Sequence, residues 1–421
     1  MKEEKVQEAR PADMNAAVLF ISYDGMTDPL GGSQILPYIR SIATHPRQVH
    51  ILSFEKPERY AADGVLLQNQ LVKEGIHWTP LMFTRGGKLA KLWDLGRMYA
   101  AALKLAAMHR FRITHCRSYQ AAQVGRLLKH LFGMKLLFDM RGLWVDERID
   151  GGIWSMDRAI DRLAYRHYKR VERGLIEGAD HVVALTHRVV PELEKLAPNM
   201  NSGVTVIPCC ADFSHFHVAT EDEKSLARRG LGIPRDAFVL CYLGSLGTWY
   251  CLDEMLDVFR AAAHLNPDAH MLLITRDWQE EHMNRFQAKC GSDLVDRLHV
   301  CSASRNDVPR LLGAADAMIS FIKPAYSKMA SSPTKLAESF ACGIPAICNP
   351  GIGDVDGQLT SLQAGALLDL TESGNTETVS VCLSLISSMR GIALREKARA
   401  VLDLPVAASS YREIYRKLEL Q

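Results

Sequence analysis

From residue 16 onward the chain alternates short, unbroken apolar runs with longer segments whose apolar positions recur every three or four residues. The first run, AAVLFIS (16–22), is continuously apolar up to its closing Ser22, as suits a strand covered on both faces. VHILSF (49–54), IHWTPLM (76–82), RITHC (112–116), KLLFD (135–139) and HVVAL (181–185) continue the series as strands. Helical periods at 57–74, 88–110, 119–132, 156–177 and 187–196 separate them, and VTVIP (204–208) stops at a proline. A charged helix at 221–229 and a turn at Gly230–Pro234 lead into a second series. Its strands are FVLCYL (238–243), MLLIT (271–275), LHVC (298–301), DAMISF (316–321), IPAICN (344–349) and a run near 365–369. Helices at 375–390, 393–402 and 407–419 follow. This repetition predicts parallel, doubly wound α/β sheets, and 421 residues suffice for two cores. The expected division is an N-terminal domain over 1–208, a C-terminal domain over 209–402 and a closing helix over 403–421.

An apolar content of 48% and a charged content of 23% describe a globular protein, and a net charge of +2 carries no nucleic-acid signature. Locally the balance shifts. Residues 85–135 hold eleven Lys and Arg against one acid, Asp94, beside Leu92, Trp93, Met98, Tyr99 and Phe132. Solvated helix faces account for this as well as a surface for anionic lipid headgroups or a phosphate-bearing acceptor does. The polar start, residues 1–15, has no apolar core of the signal-peptide kind. No run approaches the ~18 apolar residues of a membrane span. Ten cysteines without metal-ligand spacing read as reduced thiols. The expected setting is the cytoplasm, at the inner membrane face if the basic surface docks there.

Four stretches carry candidate chemistry. After the first strand, YDGMTDPLGGS contributes Asp24, Gly31 and Gly32, with Ser33 as the cap of the helix that follows. Strand, Gly-rich loop and helix together bring backbone N–H groups close to a ligand, although a tight turn also explains the Gly pair. FDMRGLWVDERIDGGIW (138–154) sets Asp139 and Arg141 just past a strand end, with Asp146 and Glu147 beyond. These are oxygen-binding candidates or an Arg–carboxylate surface network. Gly244, Ser245, Gly247 and Thr248 repeat the loop plan in the second half. Finally, KMASSPTKLAESFACGIPAICNP (328–350) predicts a helix capped by Ser332, with Pro333 at its first position and Thr334 next. Its open N–H groups and Lys335 suit an anion, and Glu338, one turn on, suits a ribose diol. An ordinary capped helix with a surface lysine and glutamate fits these residues equally well.

The SSPTK-x-x-E…ACGxP pattern, with DPLG-x-SQ-x-LPY at 28–38, resembles family 4 of the retaining GT-B glycosyltransferases in its bacterial variant. The resemblance spans nearly the whole chain, strongest at 22–40, 138–154, 242–256 and 328–350. It implies two Rossmann-like domains facing an interdomain cleft, with the last helix returning to the first domain. It further implies hexosyl transfer, with retention, from a nucleoside diphosphate sugar to a saccharide or lipid-linked acceptor, in polysaccharide or glycolipid biosynthesis. Glu338 would hold the ribose, and the loop at 302–305, including Ser304, the base. Lys335, the N–H groups after Ser332 and the Gly244 loop would hold the diphosphate. Lys335 and Arg141 would be the catalytic residues, with no metal and no cofactor. Asp24, Gly31, Gly32, Asp139, Arg141 and Glu147 would line the acceptor side.

The chain also departs from that pattern. Many members carry a second Glu seven residues before the ribose carboxylate, where this chain has Ala330. Arg141 replaces a common His, and Ser245 and Tyr250 replace an Arg and a Lys; Arg276, Lys323 and Lys335 are the candidate sources of the missing charge. These departures keep open a catalytically silent nucleotide-binding subunit, and a nucleotide-sugar epimerase of the same fold. A dehydrogenase would need the G-x-G-x-x-G fingerprint, which is absent. Asp354-Val355-Asp356 matches the three-residue metal signature of the other large glycosyltransferase fold, but without its strand-end context, so no metal site is expected.

Overall fold

The computed structural model describes residues 17–43 and 48–421. The signal-peptide reading of residues 1–15 lies outside the described residues. The continuous apolar runs form two parallel sheets. The first contains β1 (Ala17–Ser22), β2 (Val49–Glu55), β3 (Ile76–Met82), β4 (Phe111–Arg117), β5 (Lys135–Asp139), β6 (His181–Ala184) and β7 (Val204–Val206), in the order 3-2-1-4-5-6-7. The second contains β8 (Phe238–Leu243), β9 (Ala269–Ile274), β10 (Leu298–Cys301), β11 (Ala317–Ser320), β12 (Ala346–Cys348) and β13 (Gly365–Leu367), in the order 10-9-8-11-12-13. Each order reverses beside its own first strand, between β1 and β4 and between β8 and β11. Such reversals splay the flanking helices apart and open a crevice at the carboxyl ends of the strands.

Strand alternation divides each core in two. In the first sheet Leu19, Ile21, Leu52 and Phe138 pack on the helices Lys88–Met108, Ser118–Phe132 and Ala159–Gly178. Val18, Phe20 and Ile51 face the other way, where the final helix, Leu404–Leu420, buries Ala407, Tyr411, Ile414 and Leu418 against them. The chain therefore crosses between the domains twice. The crossings lie side by side: the Ala211 N–H donates to the Leu402 carbonyl at 3.0 Å, and the Leu404 N–H to the Ala211 carbonyl at 2.9 Å.

Further bonds join the two halves across the cleft floor. The Thr186 hydroxyl donates to the Met329 carbonyl at 2.7 Å, and the Ser327 N–H to Asp150 at 2.8 Å. Asp354 accepts from the N–H groups of His187 and Arg188 at 2.7 and 3.1 Å.

Two local expectations need correction. Gly31, Gly32 and Ser33 lie in a short helix, Pro29–Gln34, not in a loop, and the Ser33 hydroxyl donates back to the Pro29 carbonyl at 2.8 Å instead of capping. Pro29 starts that helix with a preset φ. Gly31 keeps its place because a Cβ there would stand 2.2 Å from the Gly25 carbonyl oxygen. The basic stretch is also less free than its count implies. Arg85 pairs with Glu58, Arg97 with Asp94, and Lys129 and Lys135 with Asp180, while Arg117 is buried. Met98 is core, but Leu89, Leu92 and Trp93 are 82%, 66% and 64% exposed. No single helix among the described residues is long and apolar enough to cross a membrane.

Candidate functional site

The cleft holds two cavities. The larger, about 790 Å³, runs between Gly32 and the loops after β8, β9 and β10, with Gly244, Arg276, Ser304 and Arg305 in its wall. The smaller, about 490 Å³, lies deeper, between Asp24, Arg117 and Arg141 on one side and Trp249, Lys328 and Lys335 on the other. Gly244 and Glu338 line both, so the helix carrying Glu338 stands at their junction.

That helix runs Thr334–Ala341. Its chain direction reverses at Gly343, whose φ of +69° suits glycine and where a Cβ would stand 2.6 Å from the Gly391 carbonyl oxygen. Ser332 is not its cap. The Ser332 hydroxyl accepts from the Cys209 N–H at 3.0 Å, across the domain junction, and Pro333 takes the N-cap position. Proline offers no side-chain acceptor, so no side chain caps the first turn and its N–H end faces the deep chamber.

Lys335, only 8% exposed, points back from this turn. Its Nζ lies 4.2 Å and 4.0 Å from the ring centroids of Tyr242 and Tyr250, and it donates to the Tyr242 hydroxyl at 3.1 Å. Burial lowers its pKa to about 7, against the pull of Glu338. A Cβ on Gly244 would meet this Nζ at 2.8 Å, and Gly244 has a φ of +131°, so glycine is required twice over. The Tyr242 hydroxyl donates to the Ser245 carbonyl and fixes the loop.

Glu338 is half-buried, and burial raises its pKa to about 7, offset by Arg305 and Lys335. Arg305 ends the 302–305 loop expected to hold the base, but its side chain was not singled out by the sequence. Arg276 is exposed and ties two loops together, Nη2 donating to the Ala303 carbonyl at 2.8 Å; the Ser304 hydroxyl bonds Asp307. Lys323 corrects the reading: it is exposed and lines neither cavity. The deep cation is instead Lys328, 3.6 Å over the Trp249 ring and 2.9 Å from Glu147, which is thereby committed to an ion pair. Ala330, where the resembled pattern has an acid, is 2% exposed and packs into the N-terminal core.

On the opposite wall Asp139 is buried and lines neither cavity. Its carboxylate lies 3.4 Å from Arg141, 3.6 Å from His115 Nε2 and 3.9 Å from Arg117. Burial would raise its pKa, but Arg141, His115 and Arg117 outweigh that and hold it well below the usual carboxylate range. Asp139 thus positions Arg141. Arg117, also missed, ends β4 at the switch point and is followed by Ser118, whose φ of +68° is uncommon for a residue with a side chain. Knowing only the order of β1 and β4 would have singled it out. Asp354 and Asp356 are engaged with backbone N–H groups of His187, Arg188 and Gly351. Among the described residues no group of three His, Cys, Asp or Glu is arranged around a metal-sized site.

Residues 35–210 match the family described as "Glycosyl transferase 4-like domain". A D-inositol 3-phosphate glycosyltransferase 2 of Catenulispora acidiphila is 25% identical over 231 residues, 53% of this chain and 48% of that protein. The chain thus matches about half the length of this curated relative. Sucrose-phosphate synthase from Thermosynechococcus elongatus superposes with a TM-score of 0.69 at 15% identity, covering 96% of this chain and 99% of that one. Anabaena HepE, in complex with UDP and glucose, gives 0.68 at 14% identity, covering 95% and 99%. The fold is GT-B: two Rossmann-like α/β domains facing a cleft.

Proposed function

We propose that the chain is a retaining glycosyltransferase that moves a sugar from a nucleoside diphosphate sugar to an acceptor hydroxyl. The observation that carries this is one short helix presenting Lys335 beside the Gly244 loop and Glu338 at the mouth of a cavity of nucleoside size. The 35–210 family match and the likeness to a protein binding UDP and glucose support the same reading.

In this reaction the bond from the anomeric carbon to the diphosphate breaks and the acceptor oxygen bonds that carbon on the same face. Positive charge grows on the sugar and negative charge on the leaving diphosphate. Lys335, the uncapped N–H end of its helix and the Gly244 backbone are held ready for that negative charge, so little reorganisation is needed. They supply the charge a metal would otherwise bring. The acceptor proton passes to an oxygen of the departing diphosphate, and no protein nucleophile is required. Glu338 holds the ribose and Arg305 stands beside it at the base. The acceptor enters from the Arg141 side.

A lipid-linked acceptor, in polysaccharide or glycolipid assembly, is favoured by the exposed Leu89, Leu92 and Trp93, with exposed Lys91 among them and exposed Lys104 farther along the same helix. This pairing suits an anionic lipid surface at the cytoplasmic face.

The test is a thermal-shift panel of nucleoside diphosphates and their sugars, followed by product analysis with the best donor. Nucleoside diphosphate released in step with a glycosylated acceptor is the expected result. A converted sugar without acceptor would make the protein an epimerase. Tight binding with no turnover would make it a silent subunit.

A further inference from the structure

Two arginines reach the deep chamber from the N-terminal wall, and neither has a full set of partners. Arg117 is 5% exposed, its Nε has no hydrogen-bond partner, and its nearest carboxylates are Asp24 at 3.5 Å and Asp139 at 3.9 Å. Arg141 is 12% exposed; its contact to Asp139 is long, at 3.4 Å, and its other donation, at 3.2 Å, goes to the weakly accepting Cys209 sulfur. One buried carboxylate therefore serves two guanidiniums, neither of them in the paired, two-bond geometry that guanidinium prefers. Among the described residues, Asp24 and Glu338 are the acids that line this chamber. The Asp24 side chain is 44% exposed, so solvent can carry its charge while another anion occupies the guanidinium fork.

The backbone adds to this. Ser118 opens the fifteen-residue helix Ser118–Phe132 with its strained φ, no side chain caps that helix, and its first residue lines the same chamber. Two buried arginine forks and a helix N-terminus converge at the switch point of the first sheet. Of the cations on the facing wall, Lys328 is committed to Glu147 and Trp249, and Lys335 is the one the proposed transfer assigns to the leaving diphosphate. A neutral sugar could offer the Arg117 Nε a hydroxyl oxygen, but it brings no negative charge to set against two guanidiniums that share Asp139.

We propose that the acceptor bears an anionic group, a phosphate or a carboxylate, seated between Arg117 and Arg141 against the start of the Ser118–Phe132 helix. This rests on the transferase reading and names the acceptor class within it. Arg117 and Arg141 then bind and orient the acceptor, and the distance from the anion to the attacked carbon sets which hydroxyl reacts.

The experiment is calorimetric binding of three matched ligands, a hexose, its phosphate ester and the corresponding hexuronate, to protein saturated with nucleoside diphosphate. Saturation fills the donor's own anion seat, and failure to saturate would reject the transferase reading separately. The expected result is at least tenfold tighter binding of one anionic ligand than of the hexose, with phosphate and hexuronate ranked by their own affinities. Arg117→Gln should abolish that preference, and Arg117→Lys should restore part of it, while nucleoside diphosphate affinity stays within about twofold. Arg141→Gln should act in the same direction; because it strands Asp139, it counts only if its melting temperature is near wild type. Equal binding of the hexose, or a preference untouched by Arg117→Gln, overturns the proposal. So does a preference lost in Lys335→Ala but kept in Arg117→Gln, since the anion would then sit on the donor side.

Discussion

The ammonium of Lys335 lies 4.0 Å from the centroid of the Tyr250 ring, and Tyr250 occupies the loop position at which the resembled family often has a lysine. An aromatic face has taken the place of a second cation and holds the remaining one from below. The ring attracts the ammonium, but burial still lowers the lysine's pKa to about 7. Lys335 is therefore only partly charged near neutral pH, and an anion bound beside it favours its ammonium.

A proton should accordingly be taken up on donor binding. At pH 8 a lysine with a pKa of about 7 is mostly neutral, and an adjacent diphosphate favours its ammonium. Glu338, also near 7, is already ionised at pH 8 and offsets little. Titrating nucleoside diphosphate in two buffers of different protonation enthalpy should reveal uptake of about half to one proton at pH 8, falling as the pH drops to 6. A buffer-independent heat at pH 8 would remove Lys335 from the diphosphate.

The same residue should weaken the fold in acid. Its folded pKa of about 7 lies below the ordinary 10.5, so between these values the unfolded chain binds more protons and stability rises with pH. Lys335→Met, similar in length and uncharged, should melt at a higher temperature than wild type at pH 6 and lose that advantage by pH 10. A variant less stable at pH 6 would contradict the buried-charge account.

Turnover separates binding from chemistry. If Lys335 meets charge that grows on the leaving group, Lys335→Ala should lower kcat more than it weakens donor affinity. Turnover within about threefold of wild type would reduce the residue to packing. Activity should also persist in chelator; loss restored by manganese or magnesium would bring a metal into the mechanism.

Glu338 is tested by its ligand's own hydroxyl. Glu338→Ala should cost about 2–4 kcal/mol of nucleoside diphosphate binding, the range for two hydrogen bonds to a charged group with some overlap. With a 2′-deoxy nucleotide the cost should shrink, because one partner is already gone. An equal loss for both nucleotides would mean the carboxylate acts elsewhere.

The exposed apolar patch predicts reversible docking on anionic vesicles. Each Lys or Arg near such a surface contributes about 1 kcal/mol. Sedimentation should fade as the Debye length shrinks from ~10 Å at 0.1 M salt to ~3 Å at 1 M. Lys91→Gln with Lys104→Gln should weaken it, and Leu92→Ser with Trp93→Ser should weaken it further. If wild type stays in the supernatant with anionic vesicles at low salt, the exposed patch has another role.

Strands were legible because a parallel strand covered on both faces is apolar almost throughout, as β1, save its terminal Ser22, and β8 are. Partners chosen across the fold were not. Ser332 has the residue type of a cap, but its oxygen is taken by Cys209, 123 positions away in the chain. Lys328 was passed over and Lys323 chosen on charge alone, because nothing local signals that Glu147 waits 181 positions earlier. Arg117 acquires meaning only from the strand order, which sets β4 beside β1 at the mouth of the cleft. Helix limits at Lys335 and Glu338 were readable because proline before and glycine after a helix act locally.

The paired crossings at Ala211 and Leu402–Leu404 constrain how the cleft can work. A single connecting segment would act as a swivel, letting one domain spin as well as tilt. Two segments bonded edge to edge behave like the knuckles of a door: they bend readily about the axis they share and resist torsion. For the walls bearing Arg117 and Lys335 to part, the Thr186–Met329, Ser327–Asp150 and Asp354 bonds would have to open, and the shared axis would bring the walls back in one register.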